Sequence, residues 1–435
     1  MSSHKVFSIQ PGGHLRGSVR VPGDKSVSHR AIMLGGIAQG RTEVNGFLEG
    51  EDTLATLAAF RAMGVSIVRD KDRVVVDGVG RRGLQAPRAP LDLGNSGTSM
   101  RLLAGLLAGQ TFDTTLTGDA SLRRRPMRRV TEPLARMGAR IDTSPSGTAP
   151  LTIHGGNVLH GIDYQSPVAS AQVKSCLLLA ALYASGITRV REPMLSRDHT
   201  ERMLTAFGCP LDIDGNNVAL RGGNELQACR IDVPADISSA AFFLVGASIA
   251  PGSDLLLRNV GINPTRDGVL GILRSMGANI EVLRQRMQGG EPVADLRVRY
   301  APLHGVNIDP LLVPSAIDEF PAVFIAAACA EGVTTLTGAE ELRVKESDRI
   351  ATMAENLHVV GIAAQPRPDG ISIEGGQIVD GVVDAHGDHR VAMAFAVAGL
   401  AARGQITVLN CENVATSFPG FVELAAQTGL PIAGG

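Results

Sequence analysis

A polar head followed by an Ala- and Leu-rich apolar body occurs six times along the chain. The segments read PGDKSVSHRAIMLGGIAQG, LGNSGTSMRLLAGLLAGQ, VASAQVKSCLLLAALYASG, PADISSAAFFLVGASIAPG, SAIDEFPAVFIAAACAEG and HGDHRVAMAFAVAGLAARG. Their heads begin near Asp24, Asn95, Ser170, Asp236, Asp318 and Asp388, in steps of 71, 75, 66, 82 and 70 residues. Asp, Asn or Ser at a head can accept hydrogen bonds from free backbone N–H groups at a helix start. Ala and Leu then propagate the helix, and Gly follows its end. These helices are apolar on nearly every side, so the pattern predicts that they are buried.

Short β-rich pieces follow the bodies, such as TEVNG, DTTLTG, LLLRNVG, TTLTG and QITVLN. A second helix then closes on Gly in LAAFRAMG, TEPLARMG, MLTAFG, GILRSMG, MAENLHVVG and VELAAQTG. Alternating strands come next, as in SIVRDKDRVVVDG and IDTSPSGTAPLTIHG. The repeating unit reads as βαβαββ in about 70 residues, an α/β arrangement. Six units make an awkward single core, which predicts two domains of three units each. The similar stretches Val21-Pro22-Gly23-Asp24 and Val233-Pro234-Ala235-Asp236, each stiffened by Pro, mark the crossings. One domain then comprises an N-terminal strand and the last three units, residues 1–21 plus 235–435. The other comprises the first three units, residues 22–234.

Composition narrows the classes of function. The net charge is −2, so no global field draws the chain to nucleic acid or to a membrane surface, and any anion site must be built locally. Aromatic residues are 3% and Trp is absent, which disfavours base stacking. Cys176, Cys209, Cys229, Cys329 and Cys411 are scattered singly, a pattern that suits a reducing cytoplasm and argues against a zinc site or a disulfide frame. The opening MSSHKVFSIQPGG lacks the apolar core of a signal peptide, and no apolar run is long enough to span a bilayer. VPGDKSVSHR does not match a P-loop, because Gly17 and Gly23 are separated by five residues and Asp24 precedes Lys25.

A helix N-terminus offers unpaired N–H groups and partial positive charge. Basic residues cluster near the heads: Lys25, Arg30, Arg101, Lys174 and Arg390. Others arrive from the connections in LRRRP, RDHTER, NPTR and RVKESDR. A nearly neutral chain that concentrates cations this way suits a small, multiply anionic substrate. The bland alternative is capping with solvated surface charge, and six related heads of differing polar chemistry weigh against it. Lys345, Glu346 and Arg349 are predicted at a helix start, with 345 and 349 on one face. A carboxylate there is either an ion-pair partner or a proton-transfer group, and Asp318-Glu319 is either a cap or the same. His29 and His389 read as capping or packing groups rather than metal ligands, and the Met residues of the apolar helices read as core.

The motifs PGDKSVSHRA, LGNSGTSMR, GDASLRRRPM, ASAQVKS, RDHTERM, NPTR, IDEFP, LRVKESDR and GDHRVAMAF occur in that order. Together they resemble the EPSP synthase family over essentially the whole chain; RDHTE, NPTR and ATSFPGF resemble its bacterial class II branch. The resemblance implies a two-domain inside-out α/β barrel of six βαβαββ-type units, three per domain, with the active site in the interdomain cleft. It implies addition of the 5-hydroxyl of 3-phosphoshikimate to C2 of phosphoenolpyruvate, then loss of phosphate, with neither a metal nor an organic cofactor. It further implies small-molecule substrates, no nucleic-acid or membrane partner, and a cytoplasmic monomer.

By the same resemblance, Lys25 contacts both substrates and assists phosphate departure, while Ser26 and Arg30 hold the shikimate carboxylate. Gly97 lines the phosphoenolpyruvate pocket with Asn95 and Thr98 nearby. Arg125 is a phosphoenolpyruvate ligand, whereas Arg123 and Arg124 match nothing and read as surface charges. Ser170 and the Ala171 backbone meet the shikimate phosphate, Gln172 lies between the substrates, and Arg197 adds a phosphate contact. Asp318 matches the base at the 5-hydroxyl, Lys345 a contact to the phosphate or the reacting hydroxyl, and Glu346 the group that moves the C3 proton. Arg349 and Arg390 complete the clamp on phosphoenolpyruvate. Thr416 stands in ATSFP where many relatives have Lys, and Gly97 stands where some herbicide-tolerant relatives have Ala, which leaves room for glyphosate. The sister transferases acting on UDP-N-acetylglucosamine usually carry Lys-Asn in the first head and a loop Cys; here Ser26 follows Lys25 and Ser121 occupies the loop. A non-catalytic anion-binding protein of this fold would lack Asp318 or Glu346, and both are present.

Overall fold

The computed structural model describes residues 5–434. Residues 1–4, with which the first expected domain begins, lie outside the described residues, as does residue 435. Helices occur at α1 (Lys25–Ile37), α2 (Glu51–Ala62), α3 (Gly97–Ala108), α4 (Arg128–Arg136), α5 (Ala171–Ala181), α6 (His199–Ala206) and α7 (Ile237–Ile249). They continue with α8 (Gly268–Ser275), α9 (Val313–Ala316), α10 (Phe320–Ala328), α11 (Arg349–Val359), α12 (His389–Ala398) and α13 (Phe421–Thr428). The six apolar bodies are α1, α3, α5, α7, α10 and α12, and the Gly-closed second helices are α2, α4, α6, α8, α11 and α13.

The chain divides into two compact units. One runs from Gly23 to Val233; the other joins the residues up to Pro22 with those from Pro234 onward. In the repeats of α3, α5 and α12 the strand before the apolar helix pairs in parallel with the strand after it. Asp163–Gln165 beside Ile187–Arg191, across α5, is one example. A parallel pair needs such a crossover, and the helix supplies it. The strands after the second helix then extend the sheet antiparallel, as Asp212–Asp214 and Asn217–Arg221 do.

Each unit closes its repeats with strands from its own sequence ends. In the Gly23–Val233 unit, Arg230–Asp232 pairs in parallel with Gln39–Asn45. In the other unit two N-terminal strands, rather than the single one expected, serve two different sheets. Phe7–Ile9 inserts antiparallel between Ile406–Leu409 and Ile432–Gly434. Arg16–Val19 runs parallel to Asp254–Gly261. One sheet has only three named strands, and isolated parallel bridges at His304–Glu331 and Asn307–Thr335 take the fourth position.

The apolar helices form the centre of each unit's core. Every residue of α7 is buried, as is every residue of α10 and α12. Each fully buried Val, Leu, Ile or Phe contributes about 1.5–3 kcal/mol by leaving water. Close approach fixes where their tips point. A Cβ on Gly105, in the middle of α3, would sit 2.0 Å from the Cys176 carbonyl oxygen of α5. Glycine costs a mid-helix site about 0.5–1 kcal/mol against alanine, and here it permits backbone-to-backbone packing. The first turns of α3 and α5 are thereby held side by side.

Candidate active site

Polar first turns terminate these buried rods. Asp24 caps Val27 N–H, Ser170 caps Val173 N–H, Asp236 caps Ser238 N–H and Asp388 caps Arg390 N–H. Two expected heads differ. Ser96, not Asn95, caps α3 by accepting from Ser99 N–H, which leaves the Asn95 amide for side-chain bonding. Asp318 is not the cap of α10: Phe320 opens the helix, with Glu319 at the cap position and no side-chain cap bond.

In the Gly23–Val233 unit the tips of α1, α3 and α5 are tied together by polar side chains. Arg30 donates from Nε to Thr200 Oγ1 (2.6 Å), from Nη1 to the Ser26 carbonyl (3.0 Å) and from Nη2 to Ser175 Oγ (2.8 Å). Three hydrogen bonds fix that guanidinium as a planar donor set beside Ser26. Arg101 donates to Gln172 Oε1, and Gln172 Nε2 donates to Thr98 Oγ1 at 3.1 Å. Arg125 Nη2 donates to Asn95 Oδ1 at 2.6 Å, and Asn95 Nδ2 donates to Asp119 Oδ2 at 2.7 Å. Gly97 lies against both guanidinium groups: a Cβ there would meet Arg125 Nη1 at 2.9 Å and Arg101 Nη1 at 3.2 Å. Asn95, Gly97, Thr98, Arg125 and Gln172 therefore form one contiguous group, joined by Arg101. Arg123 and Arg124 are exposed, as expected of surface charges, while Arg125 is buried.

Lys25 Nζ is held by Asp52 Oδ2 at 2.8 Å. Ser170 and Ala171 begin α5, with Ser170 buried and Ala171 half-buried. Arg197 is half-buried in the loop before α6. His29 is fully buried and packs against two helices: its Nδ1 lies 2.8 Å from Thr56 Oγ1 of α2 and 3.3 Å from Ser99 Oγ of α3. Burial, helped by Lys25 and Arg30, holds its pKa well below the ordinary histidine value.

In the other unit, Arg349 is the centre. It is 1% exposed, yet its guanidinium meets three carboxylates. Nε donates to Asp388 Oδ2 at 2.8 Å, Nη2 pairs with Glu346 Oε2 at 2.7 Å, and Nη1 lies 3.6 Å from Asp318 Oδ1. Burial alone would lower the guanidinium's pKa, but Asp388, Glu346 and Asp318 together raise it, so Arg349 stays charged. Lys345 Nζ lies 3.5 Å from Asp318 Oδ1 and 3.5 Å from Glu341 Oε1. Arg390 Nη1 donates to the Asp318 carbonyl at 2.8 Å. Asp318, Lys345, Glu346, Arg349 and Arg390 are thus one cluster. The expected shared face of 345 and 349 is not formed: α11 starts at Arg349 under an Asp348 cap, and Lys345 and Glu346 belong to the preceding loop. A second buried knot lies beside it. Arg266 Nη2 donates to Ser238 Oγ at 2.6 Å and lies 3.4 Å from Asp236 and 3.5 Å from Glu319.

Sequence reasoning missed the counter-charges. Asp52 and Glu192 carry no local motif, Glu201 and Glu319 lie in RDHTERM and IDEFP without being marked as counter-charges, and each pairs with a cation distant in sequence. At Thr416, where many relatives have Lys, the hydroxyl turns inward to donate to the Asn413 carbonyl at 2.6 Å. Among the described residues no three His, Cys, Asp or Glu side chains are grouped to hold a metal ion, and no helix is long and apolar enough to cross a membrane.

Comparison with known proteins identifies the family and the fold. The family model for EPSP synthase (3-phosphoshikimate 1-carboxyvinyltransferase) matches residues 9–424. The 3-phosphoshikimate 1-carboxyvinyltransferase of Methylococcus capsulatus is 66% identical over 428 residues, covering 98% of each chain. A solved EPSP synthase structure from Acinetobacter baumannii superposes with a TM-score of 0.89 at 55% identity, over 99% of this chain and 100% of that one. The enolpyruvyl transferase NikO from Streptomyces tendae shares the fold, with a TM-score of 0.81 at 18% identity over 99% of each chain. The chain belongs to the EPSP synthase (3-phosphoshikimate 1-carboxyvinyltransferase) family.

Proposed function

We propose that the two clusters serve one pair of substrates. The chain transfers the enolpyruvyl group of phosphoenolpyruvate to the 5-hydroxyl of 3-phosphoshikimate, forming 5-enolpyruvylshikimate 3-phosphate and releasing phosphate. Both substrates carry a carboxylate and a phosphate, so their encounter is repulsive without cations. In this reading Ser26 and Arg30 hold the shikimate carboxylate, and Ser170, Ala171, Arg197 and Lys345 hold its phosphate. Asn95, Gly97, Thr98, Arg125, Arg349 and Arg390 receive phosphoenolpyruvate, and Gln172 lies between the two. Arg suits these groups because its planar donors pair with both oxygens of a carboxylate or phosphate.

One observation carries the reading: Asp318 and Glu346 are two separate carboxylates held by a single buried guanidinium, that of Arg349. The reaction needs two proton-transfer groups. Asp318 takes the 5-hydroxyl proton as the oxygen bonds to C2, and Glu346 delivers a proton to C3. Elimination reverses the second transfer: Glu346 removes a C3 proton, the C2–O bond to phosphate breaks, and Lys25 neutralises the departing phosphate. Positioning the hydroxyl against C2 contributes several kcal/mol of the barrier reduction. The chain works in this reading as a cytoplasmic monomer with no cofactor.

Phosphate release in the presence of phosphoenolpyruvate, with 3-phosphoshikimate or UDP-N-acetylglucosamine as acceptor, tests it. Turnover is expected with the first acceptor only, and D318N and E346Q should each lower kcat by about 10²-fold or more. Turnover with UDP-N-acetylglucosamine alone, or full activity in both variants, would overturn it.

A further inference from the structure

Lys174 lies on the buried part of α5, one turn beyond Ser170, and none of the chemistry above uses it. Its side chain is 2% exposed, and its ammonium makes three contacts. Nζ lies 2.8 Å from Glu192 Oε2, 2.8 Å from Glu201 Oε1 and 3.2 Å from the Ser196 carbonyl oxygen. The two carboxylates are as buried as the lysine, at 1% and 4%. An ammonium has three donors, and all three are used. Dry ionic clusters of this kind seldom stabilise a fold relative to an apolar set of the same volume, because desolvation offsets the attraction. What they supply is geometry.

The geometry here is specific. Glu192 follows the strand Ile187–Arg191, Ser196 lies in the middle of the connecting loop, and Glu201 is on the first turn of α6. The ammonium therefore pins the beginning, middle and end of the single loop that carries Arg197. Glu192 reaches back as well: its Oε1 accepts from Ser170 N–H at 2.8 Å, and Ser196 Oγ donates to both of its oxygens at 2.8 and 2.7 Å. Ser170 at the tip of α5 and Arg197 in the loop are thus referenced to the same carboxylate. The far end of the loop is tied to α5 again, through Thr200 and Ser175 hydroxyls 2.6 Å apart. Between these anchors the apolar residues of the loop are left outside, with Met194 and Leu195 at 37% and 47% exposure. Burial and ionic pairing are concentrated on the side that faces α5.

We propose that Lys174, acting through Glu192 and the Ser196 segment, is a positioning residue that sets Arg197 in register with the first turn of α5 to receive the phosphate of 3-phosphoshikimate. It touches no substrate. The inference rests on the reading that Ser170, Ala171 and Arg197 hold that phosphate. The ionic balance is consistent with it: Glu201 and Glu192 outweigh the effect of burial and raise the Lys174 pKa, so the ammonium stays charged, while burial raises the Glu201 carboxyl in spite of Lys174.

Steady-state kinetics of K174M, S196A, R197A and the doubles K174M/R197A and S196A/R197A test the proposal, with unfolding midpoints measured in parallel. A hydrogen bond to a charged group is worth about 1.5–3 kcal/mol, or roughly tenfold or more in affinity. K174M is therefore expected to raise the KM for 3-phosphoshikimate by about tenfold, with the KM for phosphoenolpyruvate changed by less than about twofold. S196A, which removes only a hydroxyl, should shift the same constant in the same direction by about threefold. In the R197A background both effects should shrink to about twofold or less, because the residue being positioned is gone. Effects that multiply with R197A, or that raise both KM values equally, overturn the proposal. If K174M does not fold, the S196A pair decides it by the same criterion. An R197A enzyme with an unaltered KM for 3-phosphoshikimate instead refutes the phosphate assignment, and is recognised from that single variant alone.

Discussion

Asp388 gives a direct test of how the Arg349 cluster is held. It is 0% exposed and performs two tasks: it caps α12 by accepting from Arg390 N–H at 2.9 Å, and it accepts from Arg349 Nε at 2.8 Å and Ser347 Oγ at 3.0 Å. Asp388→Asn separates the tasks. Asn caps a helix about as well as Asp, so the cap survives while the charge is lost. Breaking a buried pair by neutralising one partner costs about 3–5 kcal/mol, because the other charge is left in a dry site. Here Glu346 at 2.7 Å and Asp318 at 3.6 Å still face the guanidinium, so the lower end, about 3 kcal/mol, is expected. For a unit of this size about 1 kcal/mol shifts the midpoint by roughly 2–4 °C, which gives a loss of about 6–12 °C in calorimetry. D388A should lose about 1 kcal/mol more, from the cap. The pH dependence has a fixed sign. Burial pushes the Asp388 carboxyl up, Arg349 pulls it down, and the balance leaves it below the usual carboxylate value. Its stabilisation is complete above the unfolded value of about 3.9 and is lost as pH falls below that. The gap between parent and D388N should therefore narrow in acid. A D388N midpoint within about 2 °C of the parent at neutral pH would refute the reasoning.

Two further predictions concern the Gly23–Val233 unit. Gly97→Ala places a methyl 2.9 Å from Arg125 Nη1, the far end of a flexible side chain, so stability should change by less than about 1 kcal/mol while the KM for phosphoenolpyruvate rises about threefold or more and glyphosate inhibition weakens by a larger factor; inhibition curves and calorimetry together check this. His29 is held well below its ordinary pKa by burial, then by Lys25 and Arg30, so stability should be complete above about pH 6.5 and fall below it by up to about 1.4 kcal/mol per pH unit; chemical denaturation between pH 5 and 8 should reveal that limb, and H29N should flatten it.

Much of the architecture was legible because it is periodic. Helix-length runs of Ala, Leu and Gly with polar heads have no stable place except inside a layered α/β core. Gly-closed second helices and β-rich pieces alternate with them on a fixed spacing, and the six sheets follow the same order. What periodicity could not reveal is exchange between distant ends. Arg16–Val19 and Phe7–Ile9 each complete a sheet whose other strands begin more than two hundred residues later. Nothing within a short strand states its partner, since pairing depends on which edge is left open. The same blindness explains Asp318: a carboxylate before an apolar run reads as a cap, and only the Pro321 start of α10, with the one-turn α9 before it, moves the first helical residue past it.

The cations of the site were visible while most of their pairings were not, and there is a physical reason for that asymmetry. A substrate with several negative charges must be met by several fixed positive ones, so Lys and Arg gather at the helix tips whatever the fold does behind them. Left alone, those cations would repel one another and pay desolvation. Several are therefore met by a carboxylate placed by tertiary structure: Asp52 for Lys25, Asp388 for Arg349, and Glu192 with Glu201 for Lys174. Such counter-charges are constrained in space but not in sequence, and any element that passes the tip can supply them. The charge that binds substrate is thus set by chemistry and appears as motif. The charge that holds it still is set by topology and becomes visible only once the chain is folded.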